Sequence, residues 1–212
     1  RVLTYTYGRP GSAEVRISHD IAQSLGFRWT YVPYDSEQWR SWFATSERIE
    51  YFDMAHALTS VPHIQDWPAV WKLREQKLLD DDAVFVPGHT GDFVSGGHTL
   101  TDFSPDGTYS PERYADAVLK AHYRLWQPAT VLVELETLRS RIWNRSTHES
   151  PVPLSGLKVV ALHDKWNWQE RQAKFIVNSL RVYEYWGYDW WMPLWDKDFA
   201  MFWQNVSLAF RQ

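Results

Sequence analysis

Residues 83–98 read AVFVPGHTGDFVSGGH, a short apolar run that opens into four glycines around a single acid, Asp92. Glycine removes the Cβ atom, which lets backbone N–H groups converge on an anion such as phosphate or pyrophosphate. A carboxylate inside such a nest repels a bare anion. Asp92 makes chemical sense there if it holds a Mg²⁺ that bridges phosphate oxygens. The same residues also suit a glycine-rich surface turn in which Asp92 caps its own backbone, and composition leaves both readings open. His89 and His98 share the loop, but the eight histidines show no metal-binding spacing such as HExxH. GxxxxGK[ST], GxGxxG and GxSxG are all absent. Carboxylate pairs such as Glu134/Glu136 and Asp196/Asp198 read as solvated helix faces.

The elements that would position this loop are legible around it. VLTYTY at Val2–Tyr7 is β-branched and aromatic, and Gly8-Arg9-Pro10-Gly11 stops it. Ser12 is an N-cap candidate for a helix that carries Val15, Ile17, Ile21, Ala22 and Leu25 and ends at Gly26. FRWTYV at Phe27–Val32 is a second strand closed by Pro33, so the first third opens with a parallel β-α-β unit. Helices are expected over 36–43, 49–58 and 66–79, the last capped by Asp66 with Pro68 in its first turn. A strand at 83–86 follows, and the fold class expected is α/β, a doubly wound, mostly parallel sheet. In such sheets ligands sit beyond the carboxyl ends of strands. Tyr7-Gly8 and the 87–98 loop both occupy such ends, one suited to a nucleotide base and the other to its phosphates.

Beyond residue 98 the texture is helical and rich in tryptophan. The pattern predicts a surface loop over 99–110, helices over 110–125 and 129–143, and a linker over 144–156. A long helix over 167–186 and a short one capped by Asp196 follow. This gives a nucleotide-binding α/β part at 1–98 and a helical part of the same domain at 99–212.

The 212 residues carry a net charge of −4 with no basic run, which argues against a nucleic-acid partner. The absence of cysteine excludes disulfides, thiolate metal sites and a cysteine nucleophile, and it fits a reducing, cytoplasmic compartment. No apolar run approaches the roughly 18 residues of a membrane span. The 14 tryptophans suit either sugar stacking or an aromatic core. The chain begins at Arg1 without a methionine, as the interior of a longer protein does.

Three blocks resemble the synthetase domain of asparagine synthetase, of the N-type ATP pyrophosphatase (adenine nucleotide alpha-hydrolase-like) superfamily. VLTYTYGRPGSAEVRISHDIAQSLGFRWTYV is similar to that family's second strand and helix. VFVPGHTGDFVSGGH matches in spacing its strand followed by SGEGSDEIFGGY, with Gly88, Asp92 and Gly96-Gly97 on its glycines and aspartate. RVYEYWGYDWWMPLWD places Arg181, Gly187, Asp189, Pro193 and Asp196 on the arginine, glycine, acid, proline and aspartate of its R-x-S-M-A-x-G-L-E-x-R-x-P-F-L-D block.

The resemblance implies an amide-forming ligase in which a carboxylate attacks the α-phosphorus of ATP. Pyrophosphate leaves, and ammonia then displaces AMP from the acyl-adenylate. It implies adenine against the backbone of Tyr7 and Gly8, and pyrophosphate and Mg²⁺ against Gly88, Thr90, Gly91 and Asp92. Arg181 joins the nucleotide contacts, and His89 and Asp92 are the candidate catalytic residues. ATP and Mg²⁺ are the implied cofactors. The implied partners are ATP, a small-molecule carboxylate and a glutaminase domain or subunit that supplies ammonia, with neither nucleic acid nor membrane. This chain departs from the pattern where the family's glutamate becomes His89 and its second acid becomes Phe93. The family's SGGxDS loop would precede Arg1, its lysine would follow Gln212, and the chain alone is expected to be inactive. Two other readings stand beside it: a non-catalytic nucleotide-binding module that lost its chemistry at His89 and Phe93, and a carbohydrate-binding protein using exposed tryptophans.

Overall fold

Leu3–Gly8 and Arg28–Pro33 pair in parallel, from Leu3 opposite Arg28 through Gly8 opposite Pro33, with the Ala13–Ser24 helix between them in sequence. Alternating threonine and tyrosine suit the pleat of such a strand. Gly26, in the left-handed region, ends the helix, and the Phe27 amide then bonds Ala22 O. The expected β-α-β unit is therefore present. The computed structural model describes residues 2–123, 134–148 and 152–211. Its chain divides into two units, Arg1–Pro87 with Phe175–Trp191, and Gly88–Lys174 with Met192–Gln212.

In the first unit, Asp35 caps the Ser36–Phe43 helix by accepting from the Glu37 and Gln38 amides at 2.9 and 2.8 Å. The helix expected to start at Ile49 starts at Ser46, because the Thr45 hydroxyl caps it through the Arg48 amide. It ends at Ala55, and Ala57 and Leu58 beyond it adopt positive φ. The Trp67–Glu75 helix keeps Pro68 in its first turn but stops before the expected Leu79, and Lys77 is at positive φ. Val84–Phe85 pairs in parallel with Asp189–Trp190, a strand that the sequence pattern did not indicate. The core gathers Tyr51, Ala55, Trp67, Ala69, Val70, Leu73, Val182 and Tyr183, all nearly inaccessible to solvent.

The second unit packs Phe103, Tyr114, Val118, Ile142, Trp143, Leu154, Val159, Leu162 and Trp166 into one apolar cluster. Ser110 caps the Pro111–His122 helix through the Arg113 amide. The expected 129–143 helix is observed as Leu135–Ser146, with 129–133 outside the described residues. Thr108–Tyr109 pairs antiparallel with Leu154–Ser155. The expected linker therefore ends early, because Ser155 caps a helix over Gly156–Asn167. From Trp168 to Ile176 the backbone is π-helical, then 3₁₀ over Val177–Leu180 and α again over Arg181–Tyr185. The single long helix over 167–186 is thus three kinds of helix. Asp196 caps Lys197–Asn205 as expected.

The architecture is mixed α/β with short parallel strand pairs. The expected division at residue 98 falls inside the second unit. Among the described residues no helix is long and apolar enough to cross a membrane.

Candidate functional site

The glycine loop lies in the second unit. Its first turn closes when the Gly91 amide bonds Gly88 O at 3.3 Å, and a helical turn over Gly91–Val94 follows. The four glycines have different reasons to be there. A Cβ on Gly96, whose φ is +98°, would stand 1.8 Å from the Arg211 carbonyl oxygen. One on Gly97 would stand 3.0 Å from the Asp92 carbonyl, which the Gly97 amide bonds at 2.7 Å. These two are demanded by packing. A Cβ on Gly91 would meet only the mobile end of Leu194 at 3.1 Å, and one on Gly88 would meet nothing within 4 Å. Gly88 is therefore the glycine that the protein's own packing leaves unexplained.

The side chains of the loop are more committed than their types suggest. Thr90 is buried and sits in the left-handed region at φ +76°. Its hydroxyl donates to Gln172 Oε1 at 3.1 Å and accepts from the Trp195 indole N–H at 2.6 Å. The only proton that Thr90 Oγ1 has to offer is thus held by Gln172, so an anion would have to be met by its backbone instead. Asp92 Oδ1 accepts from the Phe93 amide at 2.9 Å and Oδ2 pairs with His98 Nε2 at 2.8 Å. The Asp92 side chain stays 66% exposed, so a second lone pair on each oxygen still faces water. His89 is half-buried.

Arg171 Nη1 lies 3.3 Å from His98 Nε2, and His122 and His163 meet through their Nε2 atoms at 3.1 Å. Burial pushes His122 down to about 4, helped by the nearby Arg171 and then by His98. Burial, then His122 and His98, pushes His163 down to about 3. Both imidazoles are neutral at neutral pH. Among the described residues no group of three or more histidines, aspartates or glutamates is placed to hold a metal ion. Mg²⁺ that arrives on a nucleotide needs only one or two protein carboxylates besides the phosphates, and Asp92 alone meets that requirement.

Tyr7, Gly8 and Arg181 belong to the first unit. Gly8 ends its strand at φ +135°, and a Cβ there would meet nothing within 4 Å. Its carbonyl is engaged twice, by the Tyr34 amide and the Tyr31 hydroxyl, each at 2.8 Å. The Tyr7 ring stacks on Tyr34 with centroids 5.2 Å apart, and its hydroxyl donates to Asp66 Oδ1. Burial, then the Asp66 charge, raises Tyr7 above the ordinary tyrosine value. Arg181 Nη1 pairs with Glu184 at 2.9 Å.

Asp66 is the residue that sequence reasoning misjudged. It does not cap its helix. Only 3% exposed, it instead accepts from Tyr7 and, at 2.6 Å, from Tyr183. The available signal was indirect: buried phenols need acceptors, and Tyr5 and Tyr7 fall on one face of a strand. The late tryptophans also divide. Trp190 and Trp191 are 38% and 62% exposed, whereas Trp195 stacks on Trp168 at 4.2 Å. No family model matches this chain, and no curated protein or solved structure matches it either.

Proposed function

We propose that the chain is part of an ATP-dependent, amide-forming ligase of asparagine synthetase type that activates a carboxylate as an acyl-adenylate. The carboxylate oxygen bonds the α-phosphorus, the bond to pyrophosphate breaks, and ammonia then forms the amide as AMP leaves. Such chemistry asks a protein for positioning and charge neutralisation more than for a nucleophile of its own. In this reading the backbone at Tyr7 and Gly8, with Arg181, serves the nucleotide, and Gly88, the Thr90 backbone, Gly91 and Asp92 serve pyrophosphate and Mg²⁺, with His89 assigned to the acyl group. A cytoplasmic setting belongs to the same proposal.

The observation that carries this reading is Gly88. A side chain there would fit sterically, so its absence suits a ligand that needs close backbone approach. The doubly wound form of the fold is part of the proposal. What supports it is Tyr5 meeting Phe85 edge to face at 6.0 Å, with their strands belonging to two separate parallel pairs. Asp92→Asn in the full-length protein is expected to abolish ATP–pyrophosphate exchange, and unchanged exchange overturns the assignment. The contact between Asp92 and His98 favours a second reading, a nucleotide-binding module without catalysis. That reading predicts ATP binding with no exchange in the unmodified protein.

A further inference from the structure

The largest cavity among those described has a volume of about 960 Å³ and lies in the first unit. It opens beside Tyr31–Asp35, at the carboxyl end of the Arg28–Pro33 strand, where α/β sheets hold ligands. Five of the fourteen tryptophans line it: Trp39, Trp42, Trp67, Trp71 and Trp186. Their rings form a connected wall. Trp39 meets Trp42 at 5.2 Å, Trp42 meets Trp67 at 4.9 Å, and Trp67 meets Trp186 and Trp71 at 5.1 and 6.2 Å. Trp71 is 42% exposed, an indole held half in water.

The charge of the lining excludes one class of ligand. Asp35, Glu37 and Glu47 line the cavity against a single cation, Lys72, and Lys72 is paired with Glu75 at 2.6 Å. A nucleotide's phosphates would be repelled. An ammonium group suits acids and aromatic faces, but a cage for one cation is far smaller than this space. The amides of Gln38 and Gln76 also line the cavity, giving paired donors and acceptors among the rings. Trp42 and Trp67 are buried in the wall behind the cavity, so the ring faces open to a ligand are those of Trp71 and the half-buried Trp39 and Trp186, and hydrogen bonds fall to the glutamines and glutamates. Flat apolar faces ringed by amides and carboxylates match the two faces of a pyranose: its C–H surface stacks and its hydroxyls bond.

We propose that this cavity is a binding site for a neutral oligosaccharide, independent of any nucleotide chemistry of the chain. Trp71 would be the stacking platform, with Glu47 and Gln38 accepting from and donating to sugar hydroxyls. The test is calorimetric titration of the full chain, without ATP, with maltotriose, cellotriose and N,N′,N″-triacetylchitotriose. Trigalacturonate, choline and AMP serve as controls. Saturable binding of at least one neutral trisaccharide is expected, weakened at least about tenfold by Trp71→Ala and unchanged by Trp191→Ala, an exposed indole outside the cavity. Gln38→Ala, at an exposed position, gives a second reading of the same site should the Trp71 variant lose its fold. No binding of any neutral trisaccharide up to about 10 mM overturns the proposal. So does binding of choline, AMP or trigalacturonate alone, or a loss produced equally by Trp191→Ala.

Discussion

His122 and His163 face each other Nε2 to Nε2 at 3.1 Å, the second wholly buried, with Trp166 packed against both rings. One ring must donate and the other accept, so the contact requires at least one neutral imidazole and excludes protonation of both. Their folded values of about 4 and about 3 lie below the unfolded value of 6.5. Below that value the unfolded chain therefore binds more protons than the folded one. Stability is whole above about pH 6.5 and falls as pH drops toward the folded values, by about 1.4 kcal/mol per pH unit for each imidazole. Urea unfolding between about pH 7 and pH 5, where most carboxylates stay ionised, should show this decline. His163→Asn should remove about half of that slope and leave the His122 part. A flat profile in the unmodified chain would mean that the pair titrates in the fold.

Asp66 ties the Leu3–Gly8 strand to the helix at Arg181–Tyr185 through two phenols. Replacing it with alanine removes the acceptor of both hydroxyls, leaving the half-buried Tyr7 phenol with none and the buried Tyr183 phenol with only its Tyr5 neighbour. The expected loss is about 3–5 kcal/mol, a buried network broken from one side. Asp66→Asn keeps one carbonyl acceptor and should recover part of that loss. Denaturant midpoints of the two variants decide the order. A loss below about 1 kcal/mol for alanine would return Asp66 to the ordinary helix cap its sequence suggests.

The reason that role was illegible is distance along the chain. Tyr7 and Tyr183 lie 59 and 117 residues from Asp66, and a cap signal before Trp67-Pro68 was the local pattern in view. The same holds for His122 and His163, which are 41 residues apart. What was legible had a period or a stop within a few residues. Alternating Thr and Tyr, then Gly8 and later Gly26, marked the first strand and helix, and Asp196 marked the last helix. Leu154–Ser155 and Asp189–Trp190 are two residues each, too short to show alternation. Pro151, Pro153 and Gly156 read together as loop, yet the Ser155 hydroxyl starts a helix one residue before that glycine. In the glycine loop the residue types were visible, but their division between packing and open space required coordinates.

Thr90 tests whether the loop's threonine serves the fold or a ligand. Thr90→Val keeps the β-branched shape but leaves Gln172 Oε1 and the Trp195 indole N–H without their partner. A destabilisation of about 2–4 kcal/mol is expected, seen in thermal or urea unfolding, with both orphaned groups contributing. Unchanged stability together with weakened ATP binding would assign the hydroxyl to the nucleotide instead.

Gly88 and Gly96 provide the sharpest contrast, because they share a loop and differ in why they lack a side chain. Alanine at Gly96 forces a Cβ toward the Arg211 carbonyl at 1.8 Å in a left-handed backbone. Gly96→Ala should therefore destabilise the chain by several kcal/mol whatever the protein binds. Alanine at Gly88 meets nothing within 4 Å, so stability should change by no more than about 1 kcal/mol. If backbone at Gly88 approaches a phosphate, that same methyl group must stand between them, and ATP affinity in the full-length protein should fall about tenfold or more. Calorimetry with Mg²⁺-ATP on the two variants, beside their unfolding curves, separates the cases. A Gly88→Ala protein that folds normally and binds ATP as before would remove the loop from nucleotide recognition.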